Sequence, residues 1–298
     1  MEGKTYKWTL RKGSRKEICP NCGKRRFVPY VLTEDNETRC GERYGRCDRE
    51  NSCGYWVKPY GNAMVTAAAT PAVIATPIRF DGGIVRHTSA TRTNPLFPFA
   101  KWMLGEAGAV DAFSDYCVGQ YYGSTIFWQI DKGMMVRSGK LIDYGEDGHR
   151  IKERGARWAH KVQSFRKWHV GDTLEQCFFG EHLLFPNKPV AIVESEKTAV
   201  IMSRIDRRFT WLACGGSQGL GNAAKNAVLQ GFDVTLFPDN GQFAVWSKVA
   251  QRHGWNVDTQ CCGYPASPHY GYGYDILDLY EAWMKDYATA NARKEAMP

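Results

Sequence analysis

The sharpest pattern of apolar and polar positions lies in the last third of the chain. Pro189-Val-Ala-Ile-Val193 is an unbroken apolar run that predicts a short, fully buried strand, and Ser195-Glu-Lys-Thr then opens a helix running through Met202. Thr210–Ala213 and Asp233–Phe237 repeat the strand pattern, with helical segments between. Strands that alternate with helices predict a parallel sheet with crossover helices. Upstream the pattern differs. Phe27–Leu32 is rich in β-branched and aromatic residues and predicts a strand, and residues 96–120 read as helical. Ser124–Ile130 and Met134–Arg137 predict two strands joined by the turn Asp131–Gly133. From Gly61 to Pro95, alanine, threonine and proline recur without a period, which predicts a linker. Residues 288–298 read as a frayed helix end or a disordered tail.

The cysteines change the picture at the N-terminus. Cys19-Pro-Asn-Cys22-Gly23 sets two thiols three positions apart on a tight turn, and Cys47 and Cys53 supply a second pair. Four thiolates on two turns joined by short strands predict a four-cysteine zinc ribbon, structural because four thiolates leave no open position on the metal. Cys40 is a fifth cysteine nearby. The glycines after Cys22 and Cys53 favour Cys19, Cys22, Cys47 and Cys53 as the set, and free buried thiols are the alternative. The expected organisation is α/β: a zinc ribbon over 1–60, a flexible linker over 61–95, a basic α+β module over 96–180, and a domain with a mainly parallel sheet over 181–298.

Charge sharpens this division. The formal net charge is +8, but residues 1–60 balance to +6, residues 121–170 to +5 and residues 171–298 to −3. Two basic segments ahead of an acidic one suit nucleic-acid contact by the former and metal binding by the latter. Arg25 and Arg26, set among aromatic residues of the ribbon, are candidates for contact with single-stranded DNA, as phosphate neutralisers beside stacking rings. Arg137, Lys140, Arg150 and Lys152 are candidates for nucleotide or template contact. A solvated basic surface is the alternative reading. His149, His160, His169 and His182 have no metal-like spacing and receive no role. No run of membrane-spanning length and no signal-peptide core is present, so the expectation is a cytoplasmic protein without membrane contact.

Three acids stand where ligands gather in open α/β sheets. Glu194 follows the strand 189–193, Asp239 follows the strand 233–237, and Asp275 lies in Gly273-Tyr-Asp-Ile-Leu-Asp278. Carboxylates converging from separate segments suit a hard divalent cation such as Mg²⁺. Each acid taken alone could instead cap a helix.

On these motifs, residues 189–280 resemble a Toprim domain, the Rossmann-like metal-binding fold of bacterial primases and topoisomerases. Val193-Glu-Ser-Glu-Lys-Thr-Ala199 is similar to its glutamate motif, Cys214-Gly-Gly-Ser-Gln-Gly219 to its glycine loop, Phe237-Pro-Asp-Asn-Gly241 to its aspartate motif, and Asp275–Tyr280 to its last acidic element. The order of ribbon, basic module and acidic domain resembles bacterial and phage-type primases, and more closely zinc-ribbon/Toprim proteins of bacterial mobile elements. Two positions depart: Gly241 stands where the family's Asp-x-Asp has its second acid, and Thr198 where many primases carry an acid. The resemblance implies synthesis of a short RNA primer on single-stranded DNA from nucleoside triphosphates. Mg²⁺ or Mn²⁺ would be held by Glu194, Asp239 and Asp275, with Asp278 a further acid, and Lys197 would meet a phosphate or a surface acid. No GxxxxGK[ST] loop is present, so a replicative helicase would be a separate partner. The alternatives are a single-stranded-DNA-binding factor that has lost turnover and a Toprim nuclease.

Overall fold

The computed structural model describes residues 6–49, 53–59, 76–216, 218–259 and 273–295. The expected linker over 61–75, Ser217 of the glycine loop and the last three residues of the expected tail lie outside these. Two compact units are present, residues 1–73 and 74–298.

In the first unit, β1 (Trp8–Leu10), β2 (Glu17–Ile18), β3 (Arg25–Leu32), β4 (Gly45–Cys47) and β5 (Trp56–Val57) form an antiparallel sheet in the order β1-β3-β4-β5, with β2 on β3. Among the described residues its core cluster has Cys19, Phe27 and Cys47 buried, with Cys22, Cys53 and Tyr55 packed against them, and Val28 and Val31 of β3 are buried beside it. A core this small buries too little apolar surface to hold a fold, and most of its members are thiols. A metal is the natural staple.

The second unit opens with β6 (Arg79–Phe80), α1 (Gly83–His87) and α2 (Phe97–Asp115). Next come β7 (Gly119–Tyr121), β8 (Ser124–Ile130), β9 (Val136–Ile142), β10 (Arg157–Trp158) and β11 (His169–Val170). These strands make an antiparallel sheet in the order β11-β6-β9-β8-β7, with β10 on β9. The expected linker is therefore folded over 76–95. Ile78, Phe80 and Ile84 are buried in one cluster with Trp128 and Phe165. A two-residue strand has no periodicity of its own, and only its pairing with β9 and β11 makes it one.

The remaining elements are β12 (Val190–Val193), α3 (Glu196–Ile205), β13 (Thr210–Ala213), α4 (Ala223–Asn226), β14 (Val234–Leu236), α5 (Phe243–His253), β15 (Asn256–Val257) and α6 (Ile276–Glu295). The strands form a wholly parallel sheet in the order β13-β12-β14-β15. The helix α6 runs on through Glu295, so the described part of the expected tail continues it. No break in packing marks the expected border at residue 181. Phe113, Tyr116, Phe127 and Phe179 share one core with Val193, Val200 and Trp211. The Tyr116 hydroxyl also donates to the Trp211 carbonyl at 2.7 Å. No helix among the described residues is long and apolar enough to cross a membrane.

Candidate metal and acid centres

The four expected cysteines converge. Cys19 and Cys22 come from the turn before β3, Cys47 ends β4, and Cys53 follows it. Their sulfurs all lie within 4.8 Å of one another, with Cys19 to Cys53 at 3.7 Å and Cys22 to Cys47 at 3.9 Å. A tetrahedron with Zn–S bonds of about 2.3 Å has edges of about 3.8 Å. The thiols are thus spaced as zinc ligands, not as a chance cluster. Asn21 donates its side-chain amide to the Cys53 carbonyl at 3.1 Å and to its sulfur at 3.5 Å, the kind of support that orients a ligand. Cys40 stands outside the cluster.

In the parallel sheet, β12 is central. The chain leaves it first for β13 on one side and then crosses to β14 on the other, which makes the carboxyl ends of β12 and β14 a switch point. Glu194 directly follows β12 and Asp239 comes three residues after β14, and Ile192 pairs with Leu236 in register. Backbone bonds bring in the third segment: Asn240 donates to the Tyr274 carbonyl at 2.7 Å and Gly273 to that of Asn240 at 2.9 Å. Asp275 and Asp278 then open α6 as a reciprocal cap. Asp275 Oδ1 accepts from the backbone of Leu277 and Asp278, and Asp278 Oδ2 accepts from the backbone of Asp275. The Thr198 hydroxyl donates to Asp275 Oδ2, so the residue at the position of the missing acid holds another acid in place.

Asp239 behaves differently. Its Oδ1 is buried and has no hydrogen-bond partner among the described residues. Burial, reinforced by the charges of Asp275, Glu194 and Asp278, pushes its carboxyl up to about 8. Burial and then the neighbouring Asp275 push Asp278 up to about 6. The acids therefore feel one another across a shared crevice. They stand further apart than the thiols, however. Among the described residues only the four cysteines bring three or more ligand atoms all within 4.8 Å of one another. Like charges spread apart, and direct ligation of one ion by all the acids requires them to close in. An orphaned buried carboxylate oxygen among hard oxygen donors fits a divalent cation. Gly241 has φ +92°, in the left-handed region that an aspartate side chain rarely adopts. The loop geometry therefore disfavours the second acid of the Asp-x-Asp pattern.

The basic candidates disperse. Arg25 and Arg26 are exposed on β3, and Arg150 and Lys152 are exposed in the loop after β9. Arg137 pairs with Asp131 at 2.6 Å and with Glu175 at 3.0 Å. Lys140, expected at a nucleotide or template, turns inward. Its ammonium lies 3.0 Å from both carboxylate oxygens of Glu196 and 3.1 Å from the Gly215 carbonyl. Lys197 donates to the Gly148 carbonyl at 3.1 Å and lies 4.8 Å over the Phe99 ring, near enough to Asp147 and Asp278 to act on their charge.

Sequence reasoning passed over Glu196 and Lys225. Glu196 is 2% exposed, inside the glutamate motif, yet its partner on β9 is far away in the chain. Lys225 follows Asn222, a helix-capping residue type, and donates to the Cys214 carbonyl at 3.0 Å. Two lysines from different elements thus hold consecutive carbonyls of the glycine loop, and Gly215 in turn donates to the Glu194 carbonyl at 3.0 Å. The Cβ of any other residue at Gly219 would sit 2.2 Å from the Cys214 carbonyl oxygen, so the loop's last glycine is required by close approach.

Residues 6–66 match a family described as a zinc β-ribbon finger. Residues 94–240 match a domain of unknown function, DUF6371, a span from the start of α2 to just past Asp239. Among solved structures, the chain matches the primase fragment of the bacteriophage T7 primase-helicase protein. The identity is 13% over 83% of this chain and 88% of that one, with a TM-score of 0.34. No curated protein matches.

Proposed function

We propose that the chain is a primase-like, metal-dependent nucleotidyltransferase that makes a short RNA primer on single-stranded DNA during replication of a mobile element. The reading begins from the motifs that resemble a Toprim domain downstream of a zinc ribbon. The observation that supports it most is Asp239, whose buried Oδ1 has no hydrogen-bond partner among the described residues and lies at the switch point among three other acids. An arrangement that is repulsive when empty is one that a cation stabilises.

Glu194, Asp239 and Asp275 would hold Mg²⁺ or Mn²⁺, which when bound supplies positive charge to a phosphoryl group under attack. Asp278 and Thr198 act one step back: both hydrogen-bond Asp275 and fix its orientation. Lys140 and Lys225 hold the glycine loop beside Glu194. In the reaction, the primer's 3′ hydroxyl attacks the α-phosphate of an incoming nucleoside triphosphate and pyrophosphate leaves. The exposed Arg25 and Arg26 of the zinc ribbon are suited to the phosphates of the template strand.

The test is incubation of the full chain with single-stranded DNA, labelled ribonucleoside triphosphates and Mg²⁺ or Mn²⁺. Short labelled products that disappear in Glu194→Ala support the reading. A shortened template would point to a nuclease instead, and a salt-sensitive mobility shift without products to a binding factor; either result overturns it.

A further inference from the structure

A cavity of about 590 Å³ opens in the second unit between the β8–β9 turn, the segment 174–181 and the start of α4. That volume suits a small-molecule ligand. Lys225 lines it and is only 7% exposed. Its ammonium has one carbonyl partner, Cys214, and the face of the Phe178 ring 4.5 Å away. No carboxylate pairs with it among the described residues, although a buried ammonium ordinarily has one, as Lys140 has Glu196. The acids that share the cavity are committed elsewhere. Asp131 and Glu175 both pair with Arg137, and Glu175 also pairs with Arg79. Glu181 accepts from the backbone of Phe178 and Lys132; burial raises its carboxyl above the usual range, as it lowers the Lys225 ammonium below its own. Arg137 is answered by its two acids. Among the described residues, Lys225 in the wall and the exposed Lys132 at the rim form no ion pair, with Glu196 and Glu181 reaching Lys225 only through space.

We propose that this cavity is a binding site for a phosphoryl anion, with Lys225 as its anchoring cation and Lys132 as its outer contact. A phosphoryl group supplies the missing negative charge and several acceptor oxygens for N–H donors. Asn222, whose side-chain oxygen accepts from the backbone of Ala224 and Lys225, adds an amide to the lining. The anion comes either free, as phosphate or pyrophosphate, or as the phosphate tail of a nucleotide. The inference stands on the cavity and does not require the acid centre to be catalytic.

Calorimetry on the full chain without added divalent metal tests it, with phosphate, pyrophosphate and ATP as separate titrants and sodium chloride of equal ionic strength as the control. At least one phosphoryl titrant is expected to bind, with affinity reduced about ten- to a hundredfold in Lys225→Met and less in Lys132→Ala. Tighter pyrophosphate than ATP identifies a site for the free anion, and the reverse identifies a nucleotide tail. Should Lys225→Met fail to fold, wild-type protein treated with an amine-acylating reagent keeps the question decidable: bound pyrophosphate is expected to protect Lys225, read by peptide mass spectrometry. Absence of binding by all three titrants, or binding that leaves Lys225 unprotected and unaffected by substitution, overturns the proposal. Loss of primer synthesis in Glu194→Ala with anion binding intact separates this site from the acid centre.

Discussion

Replacing Asp239 with asparagine isolates the electrostatic cost built into the acid centre. The Asp239 carboxyl titrates at about 8 in the fold, against an ordinary aspartate value of 3.8. At pH 7 the unfolded chain has released this proton and the folded chain has kept it, so folding takes up a proton at a cost of about 4 kcal/mol. The sign follows directly. Because the folded value is raised, the favourable contribution is complete below pH 3.8, declines as pH rises, and is gone above about 8. The substituted amide does not titrate, and the wild-type oxygen it replaces has no hydrogen-bond partner among the described residues to lose. Asp239→Asn is therefore expected to raise the melting temperature of the second unit near pH 8 by about 8–16 °C relative to its effect near pH 4. Thermal unfolding of wild type and variant across that range, with and without Mg²⁺, is the assay. Mg²⁺ at a hundredfold excess over its dissociation constant should stabilise the wild type by about 2.7 kcal/mol and leave the variant unmoved. Equal effects of the substitution at both pH values would refute the reasoning about burial and repulsion. Undiminished Mg²⁺ stabilisation in the variant would refute the assignment of Asp239 as a ligand.

Other consequences follow from the same geometry. Chelation of zinc, or Cys47→Ser, is expected to abolish amide-exchange protection across β1 to β5 while β7 to β9 and β12 to β14 keep theirs, because the first unit has only a small apolar core of its own. Gly241→Asp, which restores the acid of the Asp-x-Asp pattern, is expected to lower stability by roughly 1–2 kcal/mol in chemical denaturation and to bring no gain in Mg²⁺ affinity, since φ at this position is +92°. Lys140→Met should cost about 3–5 kcal/mol by leaving Glu196 charged and buried, and Lys140→Met combined with Glu196→Leu should recover much of that loss in the same measurement.

Local pattern carried several features without help from the fold. The Cys19, Cys22, Cys47 and Cys53 set is written in turn-forming spacings, and metal geometry then demands convergence. The strands β12, β13 and β14 and the helix α3 declare themselves because buried apolar runs and helical spacing are short-range properties. Alternation with helices implied a parallel sheet, and acids at strand ends implied a crevice. What the chain could not disclose on its own is everything set by partners distant in sequence. The order β13-β12-β14-β15, which makes neighbours of the strands leading to Glu194 and Asp239, is a choice among topologies that one-dimensional patterns leave open. The strand β6 and the helix α1 lay in apparent linker, because two apolar residues become a strand only against β9 and β11. Lys140 and Lys225 look like any surface lysines in the sequence. The fold half-buried the first against Glu196, at a separation of 56 residues, and buried the second against a loop carbonyl and an aromatic ring. A charged side chain has the same composition in water and in a protein interior, and only the surrounding packing decides which solvent it meets.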